Sequence, residues 1–411
     1  MNLLKLKIVT VFLFLFYVRC GQQSETSLSA SKYVGTKGTY AFDADFLKQH
    51  TRKVIELKDK DGQAKILLSA DYQGRVMTST ATGDTGTSYG WLNYNLIASG
   101  EKKSQFNPVG GEERFWMGPE GGQYSIYFKG GDSFNIAHWQ VPAIIDTVMY
   151  DVVQADNAKA IFTKTATLTN YSGTAFNIAI QRSINLLDKN GIAQKLNTTI
   201  PENIYCVGYE TNNQIKNIGE SEWKKEKGLL SIWLLGMMTP TEETKVIIPF
   251  KPLPNARSLI TDNYFGNIPP ERLQVKDSVL YFTCDGKYRS KIGLSPLIAK
   301  SIAASYDFKK NVLTLILFPV DKNGLYVNSK WEMQKEPYKG DVVNSYNDGP
   351  LQDGSQLGPF YEIESSSPAS ELKKGETQEY KETTCHLQGD YESLRQLAKQ
   401  LLGVELNDLK K

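Results

Sequence analysis

A succession of short extended segments between residues 53 and 389 limits the fold of this chain more than any other feature. Each segment is rich in β-branched and aromatic residues and ends at a glycine, asparagine, aspartate or proline, as strands do when turns follow them. The segments are 53–57, 64–69, 75–80, 124–129, 147–155, 160–170, 175–187, 229–235, 245–249, 279–283, 312–319 and 361–365. Helices do not alternate with them, so we expect antiparallel sheets rather than parallel β-α-β units.

Helical periodicity is clear in only two places. Residues 42–50 have Asp43 as a candidate N-cap, and residues 391–402 follow Asp390 in the same role. No repeat period is visible, which disfavours a propeller. The sequence therefore predicts an all-β fold, a large antiparallel β-sandwich with a few short helices.

Composition indicates a packed body without affinity for nucleic acid. The 411 residues are 40% hydrophobic and 11% aromatic, which is enough for a sizeable core. The formal net charge is only +2, and this is not the basic excess that phosphate binding requires. No linker-like change in composition interrupts residues 40–390, so we expect one domain over residues 41–411.

The first twenty residues have the features of a bacterial lipoprotein signal peptide. Two lysines precede an apolar run at residues 8–18, which is too short to span a bilayer. Cys20 follows this run and is the predicted lipidation site, although Arg19 stands where that motif expects a small residue. Ordinary secretion with cleavage near Gly21 is the alternative. Residues 21–40 are then a polar tether.

The other three cysteines leave two interpretations open. Cys206, Cys284 and Cys385 could supply one disulfide in an oxidising compartment, or all three could be buried thiols. Their spacing matches no zinc or redox motif.

The segment at residues 110–122 is the first candidate site. Glycines flank three carboxylates, an arginine and a tryptophan, and sugar sites combine an aromatic platform with charged groups that bind hydroxyls. The alternative is a tight turn with an Arg–Glu pair and a core tryptophan. The candidate substrate-binding residues are Glu112, Glu113, Arg114, Trp116 and Glu120.

The second candidate site is the segment 346–367, which includes Asp348. If residues 361–365 form a strand, Glu362 and Glu364 share one face of it. In a concave site, each could polarise or deprotonate a sugar hydroxyl. The alternative is a solvated face of an edge strand.

The third candidate site is the basic turn at residues 285–291. Arg289 and Lys291 could bind an acidic sugar or a sulfate. A solvated turn would have the same composition.

His138 is the best candidate for a general acid among the three histidines, because it follows the first cluster closely. A structural histidine beside a tryptophan is the alternative. No histidine, cysteine or aspartate grouping has metal-ligand spacing, and hydrolase, P-loop and dinucleotide motifs are absent. We therefore expect neither a metal nor a cofactor.

Several motifs together resemble an uncharacterised family of Bacteroidota lipoproteins. They are Gly-Gly-Glu-Glu-Arg-Phe-Trp-Met-Gly-Pro-Glu-Gly-Gly (110–122), Arg-Ser-Lys-Ile-Gly-Leu (289–294), Ser-Tyr-Asp (305–307), Asn-Asp-Gly-Pro (347–350), Gly-Pro-Phe-Tyr-Glu-Ile-Glu-Ser-Ser-Ser-Pro (358–368) and His-Leu-x-Gly (386–389). That family is similar to the galactose mutarotase-like superfamily. The resemblance implies a supersandwich of two curved antiparallel sheets with a sugar cleft on a concave face.

Mutarotases of that superfamily use paired histidines and a glutamate base. The resemblance places Glu362 or Glu364 on the matching late strand and makes His138 a candidate for one histidine. The second histidine has no counterpart here. The superfamily also includes domains of polysaccharide lyases and hydrolases, so the resemblance implies contact with sugar rather than one reaction.

Three hypotheses follow for the function. The first is a carbohydrate-binding lipoprotein. The second is a sugar epimerase, mutarotase-like or lyase-like enzyme with Glu362 or Glu364 as base and His138 or a tyrosine as acid. The third is a scaffold for other envelope proteins. In each case we expect a monomer that is lipid-anchored in the envelope of a Gram-negative bacterium, on the periplasmic side of the outer membrane.

Overall fold

The computed structural model describes residues 32–410. The predicted signal peptide and Cys20 therefore lie outside the described residues, as does the tether as far as residue 31. Tyr33 is buried and packs edge-on against Phe42 and Phe46. The described chain from Tyr33 onward forms one compact unit.

Short helices and many strands alternate irregularly along this unit. Its α-helices are α1 (Tyr40–His50), α2 (Tyr94–Ser99), α3 (Ala143–Asp146), α4 (Lys189–Leu196) and α5 (Tyr391–Leu402). Its strands are β1 (Val54–Lys58), β2 (Lys65–Ser69), β3 (Arg75–Thr80), β4 (Arg114–Gly118), β5 (Asp151–Ala155), β6 (Lys159–Thr169), β7 (Ala175–Leu187), β8 (Ile204–Asn217), β9 (Ser231–Met238), β10 (Thr244–Pro249), β11 (Ile260–Thr261), β12 (Leu273–Lys276), β13 (Val279–Thr283), β14 (Ser290–Leu294), β15 (Ile302–Asp307), β16 (Val312–Leu317), β17 (Val343–Asn347), β18 (Tyr361–Ser366) and β19 (Thr377–Gly389).

These strands form three antiparallel sheets. The small sheet has the order β1-β2-β3. The ten-stranded sheet has the order β12-β13-β10-β15-β16-β19-β8-β7-β6-β5, and the six-stranded sheet has the order β11-β14-β17-β18-β9-β4. The predicted all-β class and the antiparallel pairing are confirmed.

The two larger sheets pack face to face. On β18, the hydroxyls of Tyr361 and Ser365 reach across to the ten-stranded sheet, where they bond Ser305 at 2.8 Å and Glu382. Buried side chains of all three sheets form one continuous apolar core. Odd-numbered residues of β18 therefore face the core, and even-numbered residues face the opposite side of the six-stranded sheet.

Two helices cover part of the outer face of the ten-stranded sheet. Leucines of α5 and Ile192 of α4 pack on Leu315, Cys385 and Leu387 in a second apolar cluster. Helix α5 begins after Asp390, whose side chain accepts a hydrogen bond from the Ser393 amide, as the sequence predicts. Within residues 32–410, no helix is both long enough and apolar enough to cross a membrane.

Two local predictions are wrong. Residues 124–129 are an irregular loop, because the Ile126 amide bonds the Pro119 carbonyl at 3.2 Å instead of a neighbouring strand. Asp43 does not cap α1, which begins at Tyr40 after Thr39. The Asp43 carboxylate instead accepts a 2.5 Å hydrogen bond from the Tyr94 hydroxyl in the interior.

The three cysteines that the structure describes are free thiols. Cys284 and Cys385 are buried, and Cys206 is partly exposed. Burial raises the pKa of Cys206 to about 11, so this thiol is protonated at neutral pH.

Candidate functional site

The strand register gathers charged residues on the side of the six-stranded sheet that faces away from the core. Lys291, Tyr346 and Glu362 lie directly opposite one another on β14, β17 and β18. Glu364 and Arg114 are both paired with Leu235 of β9, so they belong to the next cross-strand row. Paired residues of antiparallel strands point to the same face.

The indoles of Trp116 and Trp233 form the third row of this face. Their ring centroids are 5.6 Å apart in an edge-to-face arrangement. We call the set of six residues the carboxylate face: Arg114, Trp116, Trp233, Lys291, Glu362 and Glu364.

Two ion pairs lie at the centre of the carboxylate face. Arg114 Nη2 lies 2.5 Å from Glu362 Oε1, and Lys291 Nζ lies 2.9 Å from Glu364 Oε2. Trp233 Nε1 donates a 3.0 Å hydrogen bond to the same Glu364 oxygen. Each carboxylate therefore has its own cation, and the Arg114 guanidinium also stacks 4.5 Å from the Trp116 ring.

Aromatic side chains from three loops cover one end of the face. Phe106 and Trp139 lie 5.6 Å apart, and Trp139 stacks on Trp331 at 5.9 Å. Phe106 also meets Trp116 at 5.6 Å. Glu362 and Glu364 are consequently only 6% and 1% exposed. Burial of this kind strengthens electrostatic interactions with any bound group.

Glu120 lies on the loop that follows β4 and interacts with Lys291 and Glu364. Burial and, to a smaller extent, the Glu364 charge raise the pKa of Glu120 to about 7, against the opposite effect of Lys291. Burial likewise raises the pKa of Glu362 to about 7, against the opposite effect of Arg114. Two carboxyl groups of one cluster therefore change protonation near neutral pH.

Several polar atoms of this face have no hydrogen-bond partner within residues 32–410. They are Glu364 Oε1, Arg114 Nε and Trp116 Nε1, and all three are buried. Buried polar atoms are normally paired, so these three unpaired atoms are exceptions that set this face apart.

Asp348 and Arg289 lie beside the carboxylate face and connect to it through Tyr346. The Tyr346 hydroxyl donates to Asp348 at 2.5 Å and accepts from Arg289 Nε at 3.2 Å. The Arg289 guanidinium lies 3.7 Å from the centre of the Phe265 ring, which is 46% exposed. Asp348 is only 1% exposed, whereas Arg289 is partly exposed and with Phe265 forms the more exposed edge of the site.

Glu112 and Glu113 do not join the carboxylate face, although they directly precede Arg114. Glu112 lies in the interior, 2.7 Å from His386 Nε2. Glu113 is paired at 2.8 Å with Arg182, and both side chains are essentially inaccessible to solvent. The positions of these two glutamates support a structural role between the sheets rather than contact with a ligand.

The structure does not bring His138 to the site either. Its ring is exposed on a loop, and Nδ1 lies 3.1 Å from the Ser133 carbonyl oxygen. The neighbouring Trp139 is the residue of that loop that turns inward. The site therefore contains carboxyl groups, and His138, the predicted general acid, lies outside it.

Six of the predicted residues lie together in the structure: Arg114, Trp116, Glu120, Lys291, Glu362 and Glu364. Trp233, Trp139 and Trp331 were not predicted, and Tyr346 was included only as the first residue of the segment 346–367. Trp233 lies in a predicted strand, but apart from Ser231 that segment is apolar and gives no sign that one face of it bears a hydrogen-bonding indole.

The donor set of the site is not that of a metal centre. In the part of the chain that the structure describes, no three histidine, cysteine, aspartate or glutamate side chains are grouped closely enough to hold a metal ion. Lysine and arginine instead neutralise the carboxylates of the face.

Comparison with known proteins gives a family and a set of structural relatives. The chain is similar to a galactose mutarotase-like protein from Lactobacillus casei, with 10% identity over 82% of this chain and 100% of that one, at a TM-score of 0.49. It is also similar to a galactose mutarotase related enzyme from Lactobacillus acidophilus, with 9% identity over 81% and 97% of the two chains, at a TM-score of 0.45. No curated protein matches the sequence. Residues 38–411 match the model of the family of unknown function DUF6786, and the chain belongs to that family.

Proposed function

We propose that the carboxylate face binds a carbohydrate. The observation that carries this proposal is the Trp116–Trp233 indole pair beside two carboxylate–cation pairs. Indole rings pack on the C–H faces of sugars, while carboxylates accept and cations donate hydrogen bonds to hydroxyl groups. The unpartnered Glu364 Oε1 and Arg114 Nε are one acceptor and one donor of the kind that a sugar hydroxyl needs.

A ligand would enter on the side of Lys291, because most of the carboxylate face is buried. Lys291, Glu120 and Trp331 are partly exposed, whereas Arg114 and Glu364 are not. A single sugar ring, or the end of a longer glycan, is therefore the ligand that we expect. Trp139 and Trp331 stack on each other at 5.9 Å at the covered end of the face.

Replacing Lys291 tests the proposal directly. Lys291→Met should weaken binding of the best sugar about tenfold or more, because it removes a charged donor from a buried site. Affinity should be measured by calorimetry and by ligand-observed NMR against hexoses, hexosamines and uronates. Lys287→Met is the matched control, since Lys287 lies four residues away and is exposed. Binding unchanged by Lys291→Met, or no binding of any sugar, contradicts the proposal.

A second candidate function is proton transfer on a reducing sugar, as in epimerases and mutarotase-like enzymes. The raised pKa of Glu362, about 7, favours it, because a general base works best when its pKa lies near the working pH. Glu120 has a similar pKa and would return the proton, the role that the sequence predicts for His138. A lyase-like elimination would need the same base.

We also propose that the chain is a lipoprotein of a Gram-negative envelope, acylated on Cys20 and monomeric on the periplasmic side of the outer membrane. The apolar run before Cys20 and the polar residues after it support this proposal. Metabolic labelling with an alkyne fatty acid should mark the wild type but not Cys20→Ser. The variant should also appear in the soluble envelope fraction, and labelling that persists would contradict the assignment.

A further inference from the structure

A polar surface covers the half of the ten-stranded sheet that α4 and α5 leave open. On β6, every second residue from 163 to 169 is a threonine on the outward side, and β7 and β8 continue this surface with amides. The outward residues at its centre are Thr163, Thr165, Gln181, Gln214, Lys216 and Thr377. Large apolar side chains, which form the centre of most protein–protein interfaces, are absent from this set of six.

These residues line a trough of about 400 Å³. The register arranges them in two cross-strand rows. Thr163, Gln181 and Gln214 form one row, on β6, β7 and β8. In the other row, Thr165 on β6 lies opposite a residue of β7, and that residue lies opposite Lys216 on β8. Lys216 is in turn paired with Thr377 on β19. A volume of this size lies within the range of small-ligand sites.

Charge in the trough is close to balanced. Lys164 Nζ lies 3.2 Å from Asp151 Oδ2, which neutralises both. Gln214 Nε2 donates to Glu379 Oε2 at 3.3 Å, but that carboxylate is already paired with Lys381 at 3.0 Å, so Lys216 leaves an excess of one positive charge. Polyanions need an excess of several cations, which this surface does not supply.

We infer that this trough is a second ligand site, for an extended neutral glycan lying across the strands. Neighbouring strands are about 4.8 Å apart, close to the length of one sugar ring, so successive sugars would meet successive strands. Gln181 and Gln214 each supply donors and an acceptor, and Thr163 and Thr165 supply hydroxyl groups. The trough lies on the outer face of the ten-stranded sheet, whereas the carboxylate face lies on the outer face of the six-stranded sheet. The two sites are therefore independent.

Affinity electrophoresis of the full chain tests the inference. The gels would contain neutral polysaccharides (laminarin, dextran, xyloglucan and galactomannan) or the anionic polymers alginate and polygalacturonate. At least one neutral polymer should retard the wild type. The double variant Gln181→Ala/Gln214→Ala should lose at least tenfold in affinity for it. Asn185→Ala is the matched control, because Asn185 is on the same face of β7 but does not line the trough.

A variant of the other site separates this inference from the proposed function. Glu362→Gln should be retarded like the wild type, whatever its affinity for single sugars. Three results would overturn the inference: no retardation by any neutral polymer, equal retardation of the glutamine double variant, or retardation by the anionic polymers alone. Retardation that disappears in Glu362→Gln would assign the glycan to the carboxylate face and would also overturn it.

Discussion

Replacing Arg182 by methionine should lower the free energy of unfolding by about 3–5 kcal/mol, because it leaves a carboxylate uncompensated in the interior. The Arg182 and Glu113 side chains are 0% and 1% exposed, and Nη2 lies 2.8 Å from Oε1. Burial already raises the pKa of Glu113, and Arg182 is the main influence that lowers it. The neighbouring Glu112 also raises the pKa of Glu113, so Arg182 offsets both burial and a second carboxylate. Urea unfolding followed by tryptophan fluorescence would measure the change.

Two further variants isolate the cause. Arg182→Met/Glu113→Leu should recover most of the lost stability, since a buried pair replaced by apolar residues of similar size is often neutral. Lys164→Met, which breaks the surface pair with Asp151, should change the free energy of unfolding by less than about 1 kcal/mol. If Arg182→Met unfolds at the wild-type urea concentration, the pair does not hold the sheets together.

The local sequence was sufficient to predict two kinds of strand. These are the strands in which polar and apolar residues alternate, and the strands that are formed by apolar segments. Strand β7 has the predicted bounds, and its alternation of isoleucine with polar residues corresponds to one buried and one exposed face. Strand β8 was not predicted, because its second half is rich in asparagine, glutamine and threonine. It is extended because it pairs along its length with β7 and β19, and the β19 residues lie more than 160 positions away. Long-range pairing here overrides weak local preference.

The sequence predicts those features of the candidate site that follow from the alternation of side chains along a strand. Alternation along the β18 segment is enough to place Glu362 and Glu364 on one face. Which face is buried, and which partners stand opposite, depends on contacts between distant segments. Trp233 bonds Glu364 across 131 positions, and Arg114 meets Glu362 across 248. The same limit explains why Glu112 and Glu113, adjacent to Arg114, were assigned to the site although they lie in the core.

Exchanging Glu362 for glutamine should decide between binding and turnover. If the site transfers protons, the rate of anomer interconversion in the wild type should rise with pH up to about 7, where Glu362 loses its proton and becomes a base, and should fall above it, where Glu120 loses the proton that it returns. Glu362→Gln should lower that rate by about 10²–10⁴-fold and remove the rise below pH 7, while sugar binding persists. NMR exchange spectroscopy on reducing sugars between about pH 5 and 9 would measure both quantities.

Glu379→Gln is the matched control, because Glu379 is an exposed carboxylate on the opposite side of the sandwich. Glu120→Gln should suppress turnover as well, if the second group with a pKa of about 7 returns the proton. A wild type that binds sugar without accelerating interconversion at any pH would contradict the enzymatic function. The raised pKa of Glu362 would then result only from the burial of its ion pair with Arg114 beneath the loops of a binding site. Desolvation raises the pKa of a carboxyl group whether or not that group takes part in a reaction.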